Sequence, residues 1–439
     1  MTTKKQKEIG DGGNSEGSSK SLVPSLPFDI IAYDILTRSP IDCLMPFRCV
    51  CKSWSSLILN DSDFIKLHSI RNCASPGFID LSGNYPDSDD RNFNGEGPES
   101  FQDWQRGVKK SKGICFYDIE KQKYMLSYFR QGLFNKKLKI RGSFDGLVIL
   151  SAEEGDREFS HHVYNPITCN SIKLPILDGP VVQRHMDDLY FHLVFDPIME
   201  KFKVICIGCY YIEILPRQIV PVVTTQWFFK IVTLGTRDGS DSWRDINIPK
   251  MDFCLRGKYK ALSANGYLNF LYRFDRKVLR IDVSRESYDT IEYPEGASKT
   301  SKLLEIEGSL CILDYTNSRQ LDMDRYHCHY LDIDYMGKFA LWFLTEDAET
   351  KRWIKKCDIN MYHNAYEATP CKAAPVFVAA ISNPTLKIIF YVSTREYEYD
   401  RFTEDQYYSY DVELKRLESI FRPDASNYRQ WHFHRLTHI

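Results

Sequence analysis

The sequence predicts a mainly β protein with a small all-α module near its N-terminus and a β-propeller after it. Apolar residues over 26–59 recur at three- and four-residue steps, which is the period of an amphipathic helix. From about residue 113, short β-branched and aromatic runs are separated by Gly, Pro, Asn and Asp, which is typical of many short strands. Two turn patterns alternate along this second part, and such a repeat favours the blades of a propeller.

The α-helical module is predicted from two apolar series. Pro27 suits a first helical turn, where a missing amide donor costs nothing. Pro40 either ends the first helix or opens the second. The apolar residues of the two series are Phe28, Ile31, Ile35, Phe47, Val50, Trp54, Leu57 and Ile58.

The strand-rich part carries the two recurring turn patterns. In the first, an apolar or aromatic residue precedes an Asp or Asn, and a second strand follows. In the second, a Gly precedes an apolar strand, as at Gly146, Gly266 and Gly308. Unrelated hairpins in a β-sandwich are the alternative, but the ordered alternation favours blades. The clearest turn residues of the first pattern are Asp118, Asn165, Asp196, Asp282 and Asp411.

Two loop insertions are expected within the propeller. Six units over residues 66–439 would average about 62 residues, whereas ordinary blades have roughly 40–50. Residues 75–104 and 314–337 are poor in strand pattern, so we assign the excess to them. The first is rich in Asp, Gly, Ser, Asn and Pro. The second combines Tyr and His with Asp322, Asp324, Asp332 and Asp334.

The composition narrows the class of protein. The 439 residues include 57 Lys and Arg against 59 Asp and Glu, so the net charge is −2. A general nucleic-acid binder needs a basic surface that displaces counterions, and this balance argues against one. No apolar run reaches the roughly 18 residues of a membrane helix. We therefore expect neither nucleic acid nor a membrane among the partners.

Residues 1–20 predict a disordered tail, because they are polar and contain many Gly and Ser. They lack the apolar stretch of a secretory signal. The thirteen cysteines are then expected to be free thiols in a reducing compartment. Both points predict a protein of the cytoplasm, the nucleus or both.

The helical part resembles the F-box, which we place at residues 21–65. The string Phe47-Arg48-Cys49-Val50-Cys51-Lys52-Ser53-Trp54 is close to the family pattern, and Leu26-Pro27 opens it. Ser39 and Pro46 depart from the pattern, and Pro46 should kink its helix. Elements after residue 66 look like the F-box-associated domain, a kelch-like propeller common in plant F-box proteins. These elements are Gly142-Ser143, Tyr164-Asn165-Pro166, Phe195-Asp196-Pro197 and Asp241-Ser242-Trp243-Arg244.

The resemblance implies a non-catalytic substrate-recognition subunit of an SCF-type E3 ubiquitin ligase. The F-box would dock on a Skp-type adaptor, and through it a cullin, while the propeller would bind an unidentified target protein. A module of about 40 residues buries little surface alone, so an outside partner for its apolar residues is reasonable. The candidate adaptor-binding residues are Leu26, Pro27, Ile31, Ile35, Leu36, Pro40, Leu44, Val50, Trp54 and Leu57.

The substrate is expected at the loop 314–337. Its Tyr326, His327 and Tyr330 are candidate contacts, because aromatic side chains often dominate protein interfaces. Tyrosines also stack on sugars, which leaves a second interpretation open. In that interpretation the propeller binds a carbohydrate or small molecule, or is an enzyme, and the F-box only controls turnover of the chain itself.

No catalytic residue, metal site or cofactor is expected. Cys206 and Cys209 form a CxxC, but residues three apart in a strand point to opposite faces. The histidines of 327–329 and 432–434 are better spaced for a metal, yet each pair lacks a third ligand nearby. The sequence contains no phosphate loop, nucleophile elbow, HExxH motif or dinucleotide fingerprint.

Overall fold

The computed structural model divides the chain into two compact units, Met1–Asn72 and Cys73–Ile439. Of its helices, none is long and apolar enough to span a membrane within the described residues. The predicted tail, residues 1–20, lies outside them. The structure describes residues 26–71, 75–82, 113–128, 138–155, 158–177, 189–214, 222–235, 242–248, 261–272, 275–297, 301–315, 338–347, 350–360, 376–381, 385–394, 404–421 and 432–436.

The first unit is helical, as predicted. Its helical hydrogen bonds begin at Pro27, whose carbonyl accepts from the amides of Ile30 and Ile31. Pro40 precedes the second helix and its carbonyl accepts from the amide of Cys43, so it opens that helix. The segments are a π-helical stretch (Ile30–Ile35), a 3-10 turn (Leu36–Arg38), α1 (Ile41–Phe47), α2 (Lys52–Asn60) and α3 (Ser62–Arg71).

Pro46 lies inside a helix, as expected, whereas the third helix ends later than the predicted F-box segment. Pro46 lies inside α1, and the helix ends one residue later at Phe47. The third helix continues to Arg71, so the compact unit ends at Asn72, beyond the predicted boundary at 65. The amide of Phe64 donates to Asp61 Oδ1 at 2.8 Å, which caps the start of this helix.

The second unit consists of strands that form six four-stranded antiparallel sheets within the described residues. This architecture confirms the predicted β-propeller. The strands are β1 (Ser75–Ser82), β2 (Gly113–Asp118), β3 (Lys123–Tyr128), β4 (Leu138–Phe144), β5 (Leu147–Gly155), β6 (Glu158–Asn165), β7 (Asn170–Lys173), β8 (Tyr190–Asp196), β9 (Lys201–Ile214), β10 (Val222–Thr233), β11 (Arg244–Asp245), β12 (Leu262–Ala264), β13 (Tyr267–Tyr272), β14 (Lys277–Asp282), β15 (Ser287–Glu292), β16 (Lys302–Ile306), β17 (Ser309–Tyr315), β18 (Lys338–Glu346), β19 (Lys351–Asn360), β20 (Val376–Ile381), β21 (Lys387–Thr394), β22 (Glu404–Asp411), β23 (Arg416–Phe421) and β24 (His432–Leu436).

Each sheet is one blade. Blade 1 holds β24, β1, β2 and β3, and blades 2 to 6 each hold the next four strands in chain order, from β4–β7 to β20–β23. The first strands of successive blades contact each other from β24 through β4, β8, β12 and β16 to β20, so they are the inner strands. The last strand of each blade is therefore the outer one.

Apolar clusters join neighbouring blades. Blades 2 and 3 share Ile149 and Val204, and blades 5 and 6 share Leu341 and Phe390. Blade 6 meets blade 1 through a cluster that contains Phe78 and Tyr407, whose ring centroids lie 4.5 Å apart. Since β24 also pairs with β1, the last described strand completes the first blade.

The two predicted turn patterns are two kinds of hairpin. Asp-Gly, Asn-Gly and Glu-Gly pairs connect the first two strands of blades 2, 4 and 5, and both residues of each pair have positive φ. This is the type I′ turn, whose twist matches the flanking strands. In the other pattern, an Asp or Asn Oδ1 accepts from the amides two and three residues later. These acceptors are Asp118, Asn165, Asp196, Asp282 and Asp411.

The predicted bounds of both loop insertions need correction. Residues 75–82 form β1, which lies between β24 and β2 and is therefore not part of a loop. Asp314 belongs to β17, where its carboxylate accepts from the Ser301 hydroxyl at 2.9 Å. Residues 83–104 and 316–337 lie outside the described residues.

Candidate functional site

The candidate adaptor-binding residues divide into a buried group and an exposed group. Leu36, Leu44 and Leu57 belong to the core of the helical unit, together with Ala32 and Phe64. Leu36 is only 2% exposed. Side chains this deep hold the helices together and offer almost no surface to a partner.

Two further candidates lie at the edge of that core. Ile31 and Trp54 are half-buried and pack against it. The Trp54 ring meets Phe47 edge-on, with ring centroids 5.8 Å apart. Each can therefore contribute both to the core and to a contact with another protein.

The other five candidates are exposed. Val50 is 61% exposed, Leu26 55% and Ile35 46%, and Pro27 and Pro40 are exposed as well. We call the apolar residues Leu26, Phe28, Ile30, Ile35 and Val50 the exposed apolar set, since Phe28 and Ile30 are also exposed. Phe28 and Ile30 were not among the candidate adaptor contacts, although both lie in the first helical segment.

Hydrogen bonds from α3 fix the end of the segment that carries Ile35. Arg71 donates to the Tyr33 carbonyl, and to the Thr37 hydroxyl at 2.6 Å. His68 Nε2 lies 2.9 Å from the Ser39 carbonyl, and burial lowers the pKa of this imidazole. Ser39, where the family pattern usually has Leu, donates its hydroxyl to the Ile35 carbonyl at 3.2 Å. This departure therefore leaves the segment capped rather than frayed.

The propeller separates its connections into two sets. Neighbouring strands are antiparallel, so successive turns lie at alternate ends of a blade. The turn between the first and second strands and the turn between the third and fourth strands therefore lie at one end. Connections between the second and third strands leave at the opposite end. Residues 83–112 connect β1 to β2 and residues 316–337 connect β17 to β18, so both insertions leave at this same end. Tyr326, His327 and Tyr330 lie outside the described residues.

Blade 2 contains two Ser–His hydrogen bonds that no sequence motif indicates. Ser151 Oγ lies 2.8 Å from His161 Nδ1, and Ser160 Oγ lies 2.9 Å from His162 Nε2. Burial, with the charges of Arg141 and His162, lowers the pKa of His161 to about 4. A buried imidazole held neutral in this way suits a packing contact better than proton transfer near neutral pH. The Ser151–His161 register could have been found only by pairing β5 with β6.

The cysteines and histidines show no metal centre among the described residues, which contain no group of three His, Cys, Asp or Glu suited to an ion. Cys206 is fully buried in β9, and burial raises the pKa of its thiol. A protonated, buried thiol is a poor ligand. Residues 327–329 lie outside the described residues.

Comparison with known proteins places this chain in a family. Residues 108–419, more than half of the chain, match the family of the F-box associated beta propeller domain. Three Arabidopsis thaliana proteins are similar over most of their length. F-box protein At3g07870 is 28% identical, covering 73% of this chain and 73% of its own. F-box protein At4g19940 is 25% identical (77% and 73%), and F-box/kelch-repeat protein At4g19930 is 23% identical (77% and 70%). The chain therefore belongs to the plant F-box proteins that carry a C-terminal F-box-associated β-propeller domain.

Proposed function

We propose that this chain is the non-catalytic substrate-recognition subunit of an SCF-type E3 ubiquitin ligase. The F-box docks on a Skp-type adaptor, which links it to a cullin, and the propeller binds a protein for ubiquitination. Membership of the F-box family supports this proposal. We expect the complex to act in the cytoplasm, the nucleus or both.

The exposed apolar set carries the adaptor part of the proposal. The helical unit already has its own core of leucines and Phe64, so these five side chains are not needed inside it. Fully burying a side chain of this size stabilises a complex by about 1.5–3 kcal/mol. A standard interface hides about 800 Å² on each partner, which a few such side chains and their neighbours can supply.

The substrate part rests on the geometry of the connections. Binding residues on a rigid scaffold usually lie in its longer loops. Both insertions leave the sheets at the same end, so a single target could contact both. We keep Tyr326, His327 and Tyr330 as proposed contacts, because acids and aromatics in their segment suit a basic protein surface.

The test changes only exposed residues. Ile35→Asp with Val50→Asp should reduce co-purification of the Skp-type adaptor at least tenfold, because a desolvated carboxylate would face an apolar partner. The control is Ile176→Asp with Leu414→Asp, which alters two apolar residues of the second unit that are more exposed than Ile35 and Val50. Adaptor capture by the control should stay at the wild-type level.

Circular dichroism and thermal unfolding would show that both variants are folded. Undiminished capture by the first variant would contradict adaptor docking through this surface. Leu36→Ala is unsuitable for this test, because a buried leucine supports the fold itself.

A further inference from the structure

The outer strand of blade 5 differs from the other described outer strands. β19 has ten residues, whereas β3, β15 and β23 have six, β7 has four and β11 has two. An outer strand leaves one row of backbone amides and carbonyls without a ladder partner. In the described part of the chain, β19 pairs only with β18. It therefore presents the longest such backbone edge described in the propeller.

This strand is also strongly basic. It carries Lys351, Arg352, Lys355 and Lys356 against a single acid, Asp358. The outer strand β15 of the preceding blade has the opposite character, with two acids and no base in the sequence SYDTIE. The positive charge is thus a local feature of β19 in a chain that is nearly neutral overall.

The cations on β19 are accessible. The Arg352 side chain is 70% exposed, and its ion pair with Asp347 spans 3.5 Å between two exposed groups. Lys355 lies 2.6 Å from Asp358, again in an exposed pair. Exposed ion pairs contribute roughly 0–1 kcal/mol, so a partner's carboxylates can displace them at little cost. Ile354, between these cations, is 52% exposed and adds an apolar contact point.

The strand is held rigidly from one side. Trp353 packs into the cluster shared by blades 4 and 5, and its indole donates to the Glu292 carbonyl at 2.7 Å. Lys351 pairs with Asp289 of β15. A strand anchored in this way loses little conformational entropy when another chain binds to it.

We propose that β19 is a docking strand for an extended acidic segment of a partner protein. The segment adds to the open edge as a fifth strand of blade 5 and forms backbone hydrogen bonds with it. Its Asp or Glu side chains pair with Arg352, Lys355 and Lys356, and an apolar residue covers Ile354. This surface lies on the rim of the propeller, apart from the loop end discussed above, and its use does not depend on adaptor docking.

The charges also select against other occupants. Lysines on an edge strand discourage edge-to-edge pairing, because two basic strands repel each other. A second copy of β19 is therefore disfavoured, and so is a neutral strand that would bury the ammonium groups without partners. An acidic strand is favoured instead, because its carboxylates are attracted to the cations of β19.

The test uses the full chain and a fluorescein-labelled eight-residue peptide of Glu, Val and Thr, with Glu residues on both faces of the extended peptide. We expect saturable binding by fluorescence anisotropy and slower hydrogen exchange of the β19 amides in the bound state. Arg352→Glu with Lys356→Glu should weaken binding at least tenfold. The matched control Lys173→Glu changes an exposed cation on β7 and should leave affinity unchanged.

A second peptide separates strand addition from plain charge attraction. Every second amide of the bound peptide would point toward β19. N-methylation of these amides removes their hydrogen-bond donors but keeps every carboxylate, so it should also weaken binding at least tenfold. Equal affinity for the methylated peptide, or equal binding of an RNA homopolymer, would overturn the proposal and leave a general anion patch. Equal weakening by Lys173→Glu, or unchanged exchange of the β19 amides, would overturn it as well.

Discussion

Lys203 places its ammonium group inside the propeller, between blades 3 and 4. Its Nζ lies 2.6 Å from the Val283 carbonyl, 3.0 Å from Asp196 Oδ2 and 3.4 Å from Glu286 Oε1. Burial by itself would raise the pKa of Asp196. Hydrogen bonds from Ser284 and two backbone amides, together with the Lys203 ammonium, outweigh burial and hold this pKa at about 2. The group therefore stays ionised, and its charge depends on Lys203 for compensation.

Lys203→Met should destabilise the protein by about 3–5 kcal/mol, because it leaves a buried carboxylate without its cation. Lys230→Met is the matched control, since Lys230 pairs with Asp245, whose side chain is 69% exposed. That change should alter stability by less than about 1 kcal/mol. Urea unfolding at pH 7 measures both. Equal effects of the two changes would mean that burial of the pair does not matter.

The type I′ turns fix the residues at which the chain reverses between the first and second strands of blades 2, 4 and 5. At Asn265-Gly266 both residues have positive φ, +48° and +75°. Gly266 has a second constraint, because a Cβ there would lie 2.8 Å from Pro197 Cδ in the turn between β8 and β9. This glycine therefore serves both the turn of blade 4 and its close approach to blade 3.

Gly266→Ala should destabilise the protein more than Gly296→Ala. Both positions have positive φ, but nothing lies within 4 Å of a Cβ at Gly296, so only backbone strain acts there. That strain costs about 1–2 kcal/mol. At Gly266 the proline ring must also move, which adds to the loss. Thermal unfolding measures the loss of stability in each variant. An equal loss would contradict the prediction, because it would mean that moving the Pro197 ring away from the new Cβ costs nothing.

Closure of the propeller is a property of the whole molecule. β1 and β24 come from opposite ends of the second unit, and their register runs from Ser75 opposite Leu436 to Ile79 opposite His432. Blade 6 packs against blade 1 through Phe78, Ile389 and Tyr407. The Tyr117 hydroxyl also donates to the Ile420 carbonyl at 3.3 Å. Blade 1 is therefore completed by β24 on its inner side, while its strands β1 and β2 supply the contacts with blade 6.

A chain that ends at residue 430 should lose this closure. We expect a lower and broader thermal transition, because β1 loses its inner neighbour and blade 1 keeps only three of its four strands. A chain that ends at Leu436 keeps β24 and is the matched control. Differential scanning calorimetry compares the two. Coincident transitions would mean that β24 contributes nothing to stability.

The sequence could predict local features well, because consecutive residues encode them. The Asp and Asn turns and the Gly hairpins were predicted at Asp118, Asn165 and Gly266, where the structure has them. Strand β1 was missed, since its partners β2 and β24 begin about 30 and 350 residues after its end. Pairing at such a distance leaves no trace in a local pattern.

Depth of burial was the second feature that the sequence could not predict. Ile35 and Leu36 are neighbours in one helical segment and both are apolar, yet the first is exposed and the second lies in the core. Helical period shows which residues share a face, but not which of two adjacent faces meets the other helices. Lys203 is a similar case, because a lysine in a strand is normally expected at the surface.

The pairing of β1 with β24 also means that β1 is synthesised long before its inner partner strand. His432 follows Ser82 by 350 residues, which at roughly 5–20 residues per second is about 20–70 s of translation. Throughout this interval β1 has emerged without its inner neighbour, so blade 1 is the first to begin and the last to be completed. A nascent chain cut short at any point before β24 has the same defect, whatever its length. Completion of the first blade thus requires that translation has passed β24.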